Sequence, residues 1–170
     1  DEDWVIPHFE KMLYDNTQFI LLLSKYCKIN KDEYFRDKLD QTIQFIKKEF
    51  SNKNHLLGSA YDADSDGEEG KYYVYTYDDI KGIEDIGDYF EIDEKGNWEN
   101  KIILVEKKPP TKDILDKLLK IRSTKSKPFF DDKTQLDINC LWISGLITAH
   151  EILPQKGYLK LAELFFTNIE

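Results

Sequence analysis

Residues 8–16, His-Phe-Glu-Lys-Met-Leu-Tyr-Asp-Asn, hold the densest set of groups able to move protons. A histidine titrates near neutral pH and can trade protons with a carboxylate beside it. On a helix running from Pro7, His8 and Asp15 are seven residues apart and share a face, about 10 Å from one another along the axis. Glu10 and Tyr14 share another face at i,i+4 spacing. The structural alternative is a helix start in which Lys11 pairs with Asp15 at the surface and the histidine merely satisfies its hydrogen bonds.

A second constellation is Asp62-x-Asp64-x-Asp66-Gly67. It matches the first half of an EF-hand loop, but Tyr73 stands at the twelfth position, where a bidentate Glu is required. Calcium in another geometry is one reading. Paired carboxylates for sugar chemistry are a second: Asp62 and Asp64 alternate on an extended segment, and two carboxylates with separated pKa values suit acid and stabilising roles. A solvated acidic turn is the third. Asp131-Asp132-Lys133 followed by Asn139 is, by itself, a capped helix start. Lys107, Lys108, Arg122, Lys125 and Lys127 make a modest basic patch, most simply a wet surface. Cys27 and Cys140 lie in apolar helical patterns and read as core; they form no CxxC and no zinc spacing. Neither a metal nor a cofactor is predicted, and the cysteine usage suits a reduced, cytoplasmic setting.

The elements that must position these groups follow from hydrophobic period and punctuation. Of 170 residues, 24 are Lys or Arg and 33 Asp or Glu, a net charge of −9. Such a balance disfavours binding to nucleic-acid phosphates or an anionic membrane. The excess is local: residues 61–100 hold 14 acids and 3 bases, net −11. A hydrophobic fraction of 41% supports a real core. No apolar run approaches the length of a membrane span, and there is no signal peptide. The chain begins Asp-Glu-Asp-Trp without Met, as an excised piece would.

Phe9, Met12, Leu13, Phe19, Ile20, Leu23 and Cys27 recur at helical period, and Asn30 and Asp32 are N-cap candidates for a second stripe of Tyr34, Phe35, Leu39, Ile43, Phe45, Ile46 and Phe50. Together they predict a helical hairpin over 1–55. Residues 56–106 change period and predict a small antiparallel β insertion: 56–61 pairs with 71–76 around the acidic loop, a short helix follows Thr76, and 89–92 pairs with 102–105 around Gly96-Asn97. Helices return over 107–170, capped at Thr111 and running over about 136–153 and 157–169. The fold class is mainly α.

Trp4-x-x-Pro7-His8-Phe9-Glu10-Lys11-Met12-Leu13-Tyr14-Asp15-Asn16 resembles the signature of the YyaL-type, spermatogenesis-associated thioredoxin-domain proteins. So do Ser59-Ala60-x-Asp62-Ala63-Asp64-Ser65 and Glu69-Gly70-Lys71-x-Tyr73-Val74-Tyr75-Thr76; Pro128-x-x-Asp131-Asp132-Lys133 with Asn139 fits a third block. Two departures stand out: Ile138-Asn139-Cys140 replaces a usual Trp-Asn-Gly, and Tyr75 a usual Trp.

The resemblance implies that residues 1–170 are part of an (α/α)6 toroid similar to six-hairpin glycosidases and N-acylglucosamine 2-epimerases. The partners it implies are the rest of the barrel, a thioredoxin-like domain absent here, and a saccharide. In that setting His8 is the acid/base and Asp62 and Asp64 are acid or stabilising carboxylates. Trp4, Glu10, Tyr14, Asp15, Asp132 and Asn139 contact substrate. The competing expectation is a non-catalytic binding module for a redox partner. A partial toroid also leaves apolar helix faces bare, which predicts self-association.

Overall fold

Two helical hairpins and a strongly acidic segment divide the chain. The structure, a computed structural model, describes residues 2, 5–53 and 55–169. In order, the elements are β1 (Lys11–Met12), α1 (Leu13–Ile29), α2 (Glu33–Glu49), β2 (Ala60–Tyr61), β3 (Asp64–Ser65), β4 (Glu68–Glu69), α3 (Tyr77–Ile80), α4 (Ile86–Tyr89), β5 (Phe90–Glu91), β6 (Val105–Glu106), α5 (Lys112–Arg122), β7 (Phe130–Asp131), α6 (Leu136–Ile152) and α7 (Tyr158–Ile169). The described residues therefore form seven α-helices with small antiparallel sheets, mainly helical as predicted. None of these helices is long and apolar enough to cross a membrane. The chain forms two compact units, a helical one (Lys11–Tyr61 with Phe130–Glu170) and an acidic one (Asp1–Glu10 with Asp62–Phe129).

In the helical unit a short link at 30–32 joins α1 to α2, with Asp32 accepting from the Tyr34 N–H at 2.9 Å. Residues 153–157 join α6 to α7, and α6 packs on both α1 and α7. The shared core holds Leu13, Ile20, Leu39, Ile43, Trp142 and Phe165. Where α6 crosses α1 the backbones approach closely: a Cβ on Gly145 would lie 3.3 Å from Ile20 Cγ2. The strands β1, β2 and β7 form a three-stranded antiparallel sheet in which Lys11 pairs with Tyr61 and Tyr61 with Phe130. The Tyr61 and Phe130 rings stack at 4.6 Å, and both meet the edge of Phe50.

A polar network ties α2 to α7. Asp40 accepts from Lys156 Nζ at 2.7 Å and from the Tyr158 hydroxyl, and Gln44 Nε2 donates to that hydroxyl at 3.3 Å. Burial pushes the Asp40 carboxyl up, but the hydrogen bonds from Lys156 and Tyr158 outweigh it and hold the group below its ordinary value. A depressed carboxylate pKa contributes stability that is present above the unfolded-state value, about 3.9, and lost as pH falls through the folded one. Acid unfolding followed by circular dichroism should therefore show a shallower loss of stability below about pH 4 in Asp40→Asn than in the parent. An unchanged slope would remove this carboxylate from the acid response.

The acidic unit has two small cores. One gathers Tyr75, Ile80, Ile86, Phe90, Ile102, Ile114 and Leu118; the other centres on Phe9, Val74 and Ile103. Thr76 and Asp79 form a reciprocal capping box on α3.

Several sequence expectations are corrected. No helix runs from Pro7: Lys11 and Met12 are drawn into pairing with β2, and the Leu13 N–H donates to Ser59 O at 2.9 Å, so α1 begins at Leu13. Residues 60–61 pair with 11–12 and 130–131, not with 71–76. The acidic loop instead folds on itself as β3 and β4 around Asp66-Gly67, whose φ values of 52° and 76° suit a two-residue hairpin turn. The helix after Thr76 stops at Ile80, and a separate turn of helix, Ile86–Tyr89, follows. The expected pair 89–92 and 102–105 is present in part, as β5 with β6. Phe19, placed in the core by its spacing, is 47% exposed, and Cys140 is exposed on α6, whereas Cys27 is buried.

Candidate functional site

His8, Phe9 and Glu10 lie just before β1, outside any helix, and their exposure alternates as it does along an extended chain. Phe9 points inward and is 3% exposed, anchored against Tyr73 and Trp98. His8 and Glu10 consequently share the outer side, with His8 Nε2 3.2 Å from Glu10 Oε2. The Phe9 ring lies directly over Gly70: a Cβ there would come within 2.7–2.9 Å of three ring atoms, and φ is +68°. Only glycine allows this contact, so the His-Phe-Glu and Glu-Gly-Lys blocks of the sequence meet through Phe9 and Gly70.

Asp62 is brought to the same region by strand register. Lys11 pairs with Tyr61, so Glu10 and Asp62 occupy neighbouring positions just beyond that pair. The Asp62 N–H donates to Phe129 O at 2.9 Å, continuing the pairing one step further. The Asp62 carboxylate turns back on its own chain, with Oδ1 accepting from the Asp64 N–H at 3.3 Å. Both carboxylates are exposed. Among the described residues no group of three or more His, Cys, Asp and Glu is arranged to hold a metal ion, so the EF-hand spacing of 62–67 gathers no ligand set.

His8, Glu10, Asp62 and Asp64 thus belong to the acidic unit. Tyr14, Asp15, Asp132 and Asn139 belong to the helical one. The helix face that was to join His8 to Asp15, and Glu10 to Tyr14, does not exist, because α1 begins only at Leu13. Tyr14 and Asp15 stand exposed on the first turn of α1. Asp132 is exposed, while neighbouring Asp131 pairs with Lys133 at 3.1 Å. Asn139 is 1% exposed and spans the backbone: Oδ1 accepts from Leu57 N–H at 3.0 Å, and Nδ2 donates to Leu57 O at 3.1 Å and Gln135 O at 2.9 Å. Its amide is committed to holding the chain, which leaves it no free donor for substrate. Trp4 lies outside the described residues.

No family model matches the chain. It is 35% identical over 89 residues to human spermatogenesis-associated protein 20, an alignment covering 49% of this chain and 11% of the human protein. The chain is a distant, partial homologue of spermatogenesis-associated protein 20. The mouse protein of that name is 37% identical over a stretch of the same length. The uncharacterized protein B0495.5 of Caenorhabditis elegans is 26% identical over 209 aligned positions, which cover 95% of this chain and 28% of that protein. The chain thus spans about a tenth of the mammalian spermatogenesis-associated protein 20 and just over a quarter of the nematode protein.

Sequence reasoning missed a cleft of about 230 Å3 in the acidic unit, whose walls include Trp98, Glu99 and Lys101. The signal in the sequence is Trp98, an aromatic residue directly after the Gly96-Asn97 turn.

Proposed function

We propose that this chain carries the acid–base part of a carbohydrate-processing centre in a longer protein. The observation that carries the reading is the His8–Glu10 pair at 3.2 Å, with Asp62 at the neighbouring register position. A histidine oriented by one carboxylate and accompanied by a second can relay a proton to or from a sugar oxygen. The α1–α2 and α6–α7 hairpins are the kind of unit from which an (α/α)6 toroid is built, and sugar chemistry comes to the chain from that fold by analogy. In this reading the remaining hairpins and a thioredoxin-like domain are supplied by the rest of the polypeptide.

The test is saccharide turnover by the full-length protein. His8→Ala should reduce kcat by about 10²–10⁴-fold, with Asp62→Asn also strongly impaired. Parent-like turnover in both variants would refute the assignment. A second reading, a non-catalytic binding or self-associating module, draws on Phe19, Leu22, Tyr26 and Ile29. These repeat along α1 at coiled-coil spacing and are 47%, 62%, 38% and 83% exposed. On that reading, partner capture survives the His8 and Asp62 substitutions and is lost on Leu22→Glu.

A further inference from the structure

The cleft in the acidic unit is polar, has one indole in its lining, and is set in a strongly negative segment. Its lining includes Trp98, Glu68, Glu69, Glu99, Lys71 and Lys101. Trp98 is half-buried, with its ring tilted against the buried Phe9 at a centroid distance of 5.0 Å, and this contact positions the indole. Trp98 and Lys101 face each other across a tight turn, exchanging backbone hydrogen bonds of 3.1 and 2.7 Å. The two residues between them, Glu99 and Asn100, both adopt left-handed backbone, at φ 47° and 60°.

The charges in the cleft are not equivalent. Lys71 is held by Glu68 at 2.7 Å and by Asp66 at 3.7 Å, so those groups largely neutralise one another. Among the described residues Glu69, Glu99 and Lys101 have no ion-pair partner. Glu69 and Glu99 are therefore carboxylates without an ion pair beside an aromatic face, while the charge of Lys101 acts on Glu68. The surrounding residues 61–100 carry 14 acids against 3 bases, and a concave site in such a field concentrates cations. The face of an indole attracts an ammonium group as well. A neutral sugar would gain from the ring but nothing from the field, and an anion would be repelled.

From this geometry we infer that the Trp98 cleft binds an alkylammonium group, stacked on the indole and paired with Glu69 and Glu99. The group can belong to a free polyamine or to a lysine side chain of a basic peptide. This inference is independent of the sugar-processing reading and uses none of its residues.

The experiment follows the indole N–H resonance of Trp98 in the ¹⁵N-labelled chain at low ionic strength. The probes are spermidine, a glycine-flanked single-lysine peptide, and methyl glucoside. Spermidine should shift the resonance saturably at about 1 mM or below. A peptide binding as tightly as spermidine assigns the site to lysine side chains, and a much weaker peptide assigns it to polyamines. The double substitution Glu69→Gln with Glu99→Gln should weaken binding roughly tenfold, and Trp98→Leu should weaken it severalfold, now read by calorimetry. Lys101→Gln should tighten binding, an effect that a purely structural lysine would not produce.

A Trp98 resonance unmoved by spermidine overturns the inference. So does a shift insensitive to the Glu69 and Glu99 substitutions, which would mean diffuse attraction to the acidic surface. A response to methyl glucoside alone would overturn it too and give the cleft to a neutral saccharide.

Discussion

Asn139→Ala is expected to destabilise the helical unit by roughly 3 kcal/mol and to lower its melting temperature by roughly 6–12 °C. The magnitude follows from what the amide leaves behind. Leu57 is fully buried, and its N–H and C=O both bond to the Asn139 side chain, at 3.0 and 3.1 Å. The same amide also donates to Gln135 O at 2.9 Å. Alanine strands a buried donor and a buried acceptor in the core, and each such loss costs about 1–3 kcal/mol. Asn139→Leu separates the causes, since it restores volume without restoring a hydrogen bond. If the bonds matter, leucine is as damaging as alanine; if the cavity matters, leucine rescues. Thermal unfolding followed by far-UV circular dichroism reads both, and a loss below about 1 kcal/mol in alanine would contradict the role assigned to the amide.

The helices were legible because their signals are local. Thr111 caps the helix it was expected to cap, Asp32 is the one of the two candidates that caps α2, and α2, α6 and α7 fall within a few residues of the stripes that predicted them. The start of α1 was not legible. Residues 8–12 carry a good helical pattern, yet long-range pairing of β1 with β2, 49 residues away, overrides it. That override also moved the chemistry: His8 is paired with Glu10 and shares no helix face with Asp15. The partner of 60–61 was hidden for the same reason, because β7 lies about 70 residues downstream. In the sequence Asn139 stands out only by its position in a motif; burial reveals that its amide replaces a backbone partner for Leu57. The apolar character of α1 on more than one side was visible in Phe19, Leu22 and Ile29. Periodicity alone places Phe19 in the wrong stripe, since a helix apolar on more than one side offers more than one stripe to choose from.

Gly58→Val is expected to cost at least about 3 kcal/mol, with Gly58→Ala intermediate. A Cβ at this position would meet Phe130 Cζ at 2.6 Å, Asp131 O at 2.9 Å and Asp132 Cα at 3.0 Å. The ring can swing aside, but the backbone atoms cannot: Asp131 O is already accepting from the Ser59 N–H at 2.8 Å, and Asp131 pairs with Ala60 in the sheet. Gly58 itself donates to Phe50 O at 2.8 Å, so it cannot retreat without breaking that bond. The strain must pass along β2, and Asp62 leaves that strand only one residue after its end. Gly82→Ala is the matched control, because nothing lies within 4 Å of its Cβ and its φ is not left-handed; it should fall within about 0.5 kcal/mol of the parent. Equal melting temperatures for the Gly58 and Gly82 alanine variants would show that the close approach of β7 is dispensable. A large gap would show that the strand delivering Asp62 is held in register by the absence of a single methyl group.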